Sequence, residues 1–63
     1  MDFNDGFPTN QGWYECELDG EPAVLRYFHC EVSGRDEWVD KAGRYMRMHA
    51  VKWAGDAMRT PEG

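Results

Sequence analysis

No lysine or arginine occurs before Arg26, while the same 25 residues hold six acids, Asp2, Asp5, Glu15, Glu17, Asp19 and Glu21. The seven basic residues all follow, set against six further acids, so the formal net charge of −5 belongs almost entirely to the N-terminal part. A nucleic-acid binder needs a cationic stripe to neutralise phosphates, and this balance argues against one. Cysteine is equally scarce. Cys16 and Cys30 alone do not make a disulfide framework. No apolar run approaches the roughly 18 residues of a membrane span. No basic stretch followed by an apolar one opens the chain, so a secretory leader is not expected. These absences predict a cytoplasmic protein with two free thiols and no membrane partner.

What is present is aromatic. Among 63 residues there are three Trp, three Tyr and three Phe, and hydrophobic residues make up 41%. A chain of this length forms a single domain, 1–63, and buries only about 60% of the surface its unfolded form exposes. Large rings, each burying roughly 150–250 Å², are an efficient way to build such a small core. The composition is not that of a disordered chain, despite 30% charged residues. A domain this small cannot hide every ring, so some are left for a partner surface.

The pattern along the chain predicts a mainly β fold, a small antiparallel sheet of three to four strands. Residues 1–12, rich in Asn, Asp, Gly and Pro, read as an arm with Phe3 and Phe7 as its anchors. Residues 13–18 alternate as a strand, with Tyr14, Cys16 and Leu18 on one face and Trp13, Glu15 and Glu17 on the other. Asp19-Gly20-Glu21-Pro22 is a turn signal, and residues 23–32 are the longest β-prone segment. A four-residue loop at 19–22 sets Leu18 opposite Ala23, Cys16 opposite Leu25, Tyr14 opposite Tyr27 and Glu15 opposite Arg26. The expected core face is then Tyr14, Cys16, Leu18, Ala23, Leu25 and Tyr27, and the second face holds Trp13, Val24 and Phe28 beside the acids. A turn at 33–36 leads to a short strand at 37–40. Asp40-Lys41-Ala42-Gly43 reads as a type I turn closed by a left-handed glycine, with a returning strand over 44–53. The rival reading is α+β, with a helix over 41–58 whose stripe is Ala42, Met46, Ala50, Trp53 and Ala57. Residues 59–63 read as a flexible tail.

Several of these pieces together resemble a class of short phage- and prophage-encoded proteins. They are Pro8-x3-Gly12-Trp13-Tyr14, Asp19-Gly20, Val24-Leu25-Arg26-Tyr27-Phe28, Trp38, Gly43 and Val51-Lys52-Trp53. The resemblance spans most of the chain. It implies a small antiparallel β domain acting as a bacteriophage accessory protein in a host cell, and it brings no catalytic residues with it. That class usually closes on a Pro-rich strand, where 54–58 here is helix-friendly.

Each chemical reading has a plain alternative. Cys16, His29, Cys30 and His49 supply the ligand types of a structural zinc site, but without Cys-x2–4-Cys or His-x3–5-His spacing. His29 and Cys30 are neighbours on a strand and point to opposite faces. Cys30, His49 and Asp36 supply a nucleophile, a base and an acid, but a chain this short rarely encloses a catalytic pocket. The expectation is no enzyme, no metal and no cofactor. Arg44, Arg47, Lys52 and Arg59, interleaved with Tyr45 and Trp53, form the one basic-aromatic segment, 41–59. The leading reading is protein binding, since an acidic hairpin beside surplus Trp, Tyr and Met has the make-up of an interface. The candidate site is Trp13, Glu15, Glu17, Asp19 and Glu21. The expected partner is a host protein with a basic surface, met without direct nucleic-acid contact, and inhibition of a host transcription or CRISPR complex is one form this takes. The alternatives are a virion or assembly part, including a homodimer through a strand edge, and a small nucleic-acid binder using 41–59.

Overall fold

The computed structural model describes residues 2–58; Met1 and the expected tail at 59–63, with Arg59, lie outside them. The chain forms four strands, β1 Gly12–Leu18, β2 Glu21–Cys30, β3 Arg35–Val39 and β4 Val51–Met58. They make one antiparallel sheet in the order β3-β2-β1-β4. Three strands follow one another through short turns and the fourth returns beside the first, the order of a Greek key. The protein is mainly β, and no helix occurs among the described residues.

The helical reading of 41–58 fails at both ends. Asp40 organises a tight turn, its Oδ1 accepting the N–H groups of Ala42 and Arg44 at 2.9 Å each, while Gly43 N–H donates to the Asp40 carbonyl at 3.0 Å. At the other end the open edge of β1 offers a row of backbone partners, which outweighs the modest helix preference of Met, Ala and Lys. The returning strand is also displaced. Tyr45 makes only an isolated bridge to Val39 and Met46 N–H donates to the Trp38 carbonyl, after which the chain crosses to the far side of the sheet and begins β4 at Val51.

The expected hairpin register is corrected by two residues. Leu18 pairs with Glu21, Cys16 with Ala23, Tyr14 with Leu25, and Glu15 with Val24 rather than Arg26. The loop is Asp19-Gly20 alone, with φ of +49° and +88°, the two positive values a type I′ hairpin turn requires. Pro22 does not keep the segment out of β2. It lies beyond the Arg26–Cys30 stretch that β3 pairs, where a missing donor interrupts no ladder. A shift of two preserves the side-chain alternation, so the expected core face stands although its pairs change.

Tyr14, Cys16, Leu25, Tyr27 and Trp38 form the buried core, with Leu18, Ala23, Met46, Val51 and Trp53 against it. Tyr14 is its centre, edge-on to Trp38 at 5.9 Å and to Trp53 at 5.5 Å, and its hydroxyl donates to the Asn10 carbonyl at 2.6 Å. Two segments cover this inner face. The N-terminal arm hydrogen-bonds to β4 through Asn4 and Trp53 in both directions, at 2.7 and 3.1 Å. It then lays Phe7 on Tyr27 and Trp38, with Pro8 buried. The β3–β4 connection adds Met46 and is fixed at Asp19. There the carboxylate accepts Ala50 N–H at 2.8 Å and bonds His49, while Asp19 N–H donates to the Ala50 carbonyl at 2.8 Å.

Candidate functional site

Strand alternation sends the remaining side chains to the opposite, outer face. β1 contributes Trp13, Glu15 and Glu17; β2 contributes Pro22, Val24, Arg26, Phe28 and Cys30; β3 contributes Arg35, Glu37 and Val39. Tyr45 and Arg47, flanking the residue that hydrogen-bonds to Trp38, extend this face past the β3 edge. The result is a row of rings interspersed with guanidinium groups. Trp13 is the register partner of Arg26. Arg26 lies over the Phe28 ring at 5.4 Å, Phe28 meets Tyr45 edge-on at 6.0 Å, and Arg47 lies over Tyr45 at 4.8 Å. Arg47 also donates Nε to Glu37 Oε2 at 2.8 Å, and this buried carboxylate holds the guanidinium pKa above its ordinary value. Tyr45 is 46% exposed, and Trp13 and Phe28 are half-buried. Rings held open in this way, their flanks occupied by planar cations, are suited to contact a second macromolecule.

The five residues expected as a docking site do not form one patch. Trp13, Glu15 and Glu17 share the outer face, with Glu17 opposite Lys52 of β4. Glu21 pairs with Leu18 and therefore lies toward the inner face. Asp19 is engaged by His49 and Ala50, and its carboxyl is held below the ordinary value first by the His49 hydrogen bond and then by the Ala50 N–H. The hairpin acids are thus divided among a face, a turn and the opposite face. The corrected register makes Arg26 the neighbour of Trp13, and the aromatic row continues through Phe28 to Tyr45. The signal for that extension was the alternation Tyr45-x-Arg47 directly after a glycine turn.

The other candidate clusters are dispersed. Cys16 is buried on the inner face and Cys30 lies on the outer face, both as free thiols. His29 Nδ1 is 3.0 Å from Asp36 Oδ1, an oxygen that also accepts the Tyr27 hydroxyl at 2.7 Å, and His49 is bound to Asp19. Cys30, His49 and Asp36 therefore do not converge. Among the described residues no group of three or more His, Cys, Asp or Glu is placed to hold a metal ion. In the segment 41–59, Arg44 is paired with Asp40, Arg47 with Glu37, and Lys52 lies 4.0 Å from Asp5. Trp53 belongs to the inner face, against Tyr14. No helix is long and apolar enough to cross a membrane among the described residues. No family model, curated protein or solved structure matches this chain.

Proposed function

We propose that this chain is a non-catalytic binding protein that docks on a protein partner through the outer face of its sheet. The observation that carries this reading is the placing of the cover. The arm, through Phe7 and Pro8, and the β3–β4 connection, through Met46, both lie on the inner face, while Trp13, Phe28 and Tyr45 stand half open on the other. Trp13 is the anchor. Glu15 and Glu17 beside it suit a partner with a basic surface, where complementary charge speeds encounter and an aromatic anchor slows departure. Resemblance to phage accessory proteins makes a host protein the partner class, and stoichiometric inhibition of a host complex, such as a CRISPR effector, the biological form.

Surface plasmon resonance tests this once tagged protein has captured a partner from a bacterial host. Trp13→Ala should raise the dissociation rate. Glu15→Lys with Glu17→Lys should lower the association rate and flatten its dependence on salt. Kinetics unchanged in both variants would remove the interface from this face.

A further inference from the structure

β3 is half as long as β2, the strand it borders. It pairs with Arg26–Cys30 and ends at Val39, where the Asp40 turn leads the chain away, so residues 21–25 of β2 have no strand on that side. The register fixes which backbone groups this leaves bare. Asp19 N–H donates to the Ala50 carbonyl, so the odd-numbered residues of β1 turn their backbone groups to β4 and the even-numbered ones to β2. Ala23 and Leu25, opposite Cys16 and Tyr14, are therefore bonded to β1, while Pro22, Val24 and Arg26 point the other way. Arg26 meets Val39 of β3. The Val24 N–H, the Val24 carbonyl and the Pro22 carbonyl have no partner among the described residues. They border a notch of about 530 Å³ whose far wall is the turn, with Lys41 and Arg44. We infer that this notch is a second binding site, which takes an extended segment of a partner protein as an added strand in line with β3, with an acidic residue between two apolar ones.

The bare backbone names the occupant. The free groups of Pro22 and Val24 lie two residues, roughly 7 Å, apart along the edge. An extended main chain offers matching groups at the same spacing, and sheet edges take peptides in this way. Val24 is half-buried, so its unpaired donor and acceptor are costly to leave empty, whereas Pro22 has no N–H to satisfy. Side chains follow by alternation. In a segment running as β3 does, the residue opposite Val24 projects to the outer face beside Arg26. Its two neighbours project inward, opposite Leu25 and Ala23, where Leu18 also lines the notch. The inward positions therefore suit apolar side chains and the outward one a carboxylate. Lys41, across the notch, has no ion pair among the described residues, while the Asp40 carboxylate is taken up by Ala42 and Arg44. Of the other acids, Glu21 projects inward at the hairpin end, past the second apolar position. Glu15 stands two strand spacings, about 10 Å, from the added residue, beyond the screening length of about 8 Å in physiological salt. Three hydrogen bonds and two small apolar contacts make a weak complex. The edge is separate from Trp13, so one partner can place a segment in the notch and a surface on the outer face together.

Nuclear magnetic resonance of the isotope-labelled full chain tests this with a capped pentapeptide, threonine-valine-glutamate-valine-threonine. Without peptide, the Val24 amide should exchange with solvent about tenfold faster, or more, than those of Ala23 and Leu25. Peptide at about 5 mM should shift the Val24 and Lys41 amides saturably, with a dissociation constant of about 1 mM, and slow Val24 exchange about fivefold. N-methylation of the glutamate and of the second threonine, whose N–H groups face β2, should abolish the shifts. N-methylation of the second valine, whose N–H faces away, should leave them. Lys41→Glu should weaken binding about threefold or more. A Val24 amide as slow as its neighbours before peptide is added overturns the site, as do shifts that are absent or indifferent to the position of the N-methyl group. Val24 protection that grows with protein concentration alone also overturns it, because a second copy then fills the notch. In Trp13→Ala the titration should be unchanged; loss of binding there would put the peptide on the outer face instead. The proposed docking fails by a different sign: partner kinetics indifferent to Trp13→Ala.

Discussion

The two faces of the sheet are made from the same strands and hold similar numbers of rings, yet they are finished differently. On the inner face Tyr14, Tyr27, Trp38 and Trp53 meet one another, and the arm and the β3–β4 connection close over them. On the outer face Phe28 and Tyr45 each meet a guanidinium and one another, Trp13 pairs in register with Arg26, and these three rings stay partly open. In a domain this small the share of surface that can be buried is limited, and here the rings of the inner face take most of it. Solubility of the other side then depends on charged groups laid over its rings, which leaves those rings close to the surface and usable.

Substitution at the centre of each face gives the sharpest contrast. Leu25 is 1% exposed, and Leu25→Ala should cost about 2–5 kcal/mol, enough to unfold much of a domain this small. Phe28→Ala on the outer face should cost about 1 kcal/mol, because its ring is only half covered. Equal losses in thermal or urea melts would mean the outer face is as fully structural as the inner.

The thiols report the same division without mutation. Burial pushes the Cys16 thiol up to about 11, while hydrogen bonds from Ser33 hold Cys30 below its ordinary value. At pH 8 iodoacetamide should alkylate Cys30 at least about a hundredfold faster than Cys16, by thiolate fraction alone. Peptide mass spectrometry separates the two sites, and comparable rates would show that the inner face opens readily.

The covering segment is tested at its start. Gly43 has φ +82° at the end of the Asp40 turn, so Gly43→Ala should destabilise by about 1 kcal/mol. A rise in melting temperature would mean the turn does not hold that conformation in solution.

The smallest effect expected is in pH. Asp19, Asp36 and Asp40 are held below the ordinary carboxyl value, chiefly by His49, by the Tyr27 hydroxyl and by Arg44 N–H respectively. The stability they contribute is complete above about pH 4 and is lost as pH falls through their folded values. Tyr27 runs the other way. The Asp36 hydrogen bond, aided by burial, raises it to about 12, so its contribution is complete below about pH 10 and is lost as pH rises through 12. Melting temperature against pH should therefore show a plateau with modest falls at both ends. Asp19→Ala should remove part of the acid-side fall, since Asp19 ties the connection to the hairpin turn.

Which residues face inward was legible in the sequence, because period-2 alternation survives any even shift of register. Tyr14, Cys16, Leu25 and Tyr27 needed nothing more. The pairing was not legible, because Pro22 argues for a long loop unless it is known that β3 stops short of it. The course of residues 44–50 was hidden for a similar reason. Beyond the Asp40 turn they are held by Trp38, Glu37 and Asp19, which lie in separate strands and turns, and no local pattern announces them. The candidate site suffered most. Four acids close in sequence looked like one array, but the two-residue turn and the alternation part Glu15 and Glu17 from Glu21 and commit Asp19 to His49.

The placing of β4 beside β1 also bears on how the protein is made. The hairpin of β1 and β2 joins neighbours in the chain, whereas the opposite edge of β1 waits for residues 51–58, and the arm waits for Trp53, 49 positions beyond Asn4. Contacts of such long separation form slowly, since a large loop must close before any bond rewards it. A nascent chain that has reached residue 50 therefore presents β1 with one edge bare and its aromatic side uncovered. In that interval the growing polypeptide is open to chaperones and to pairing with another chain.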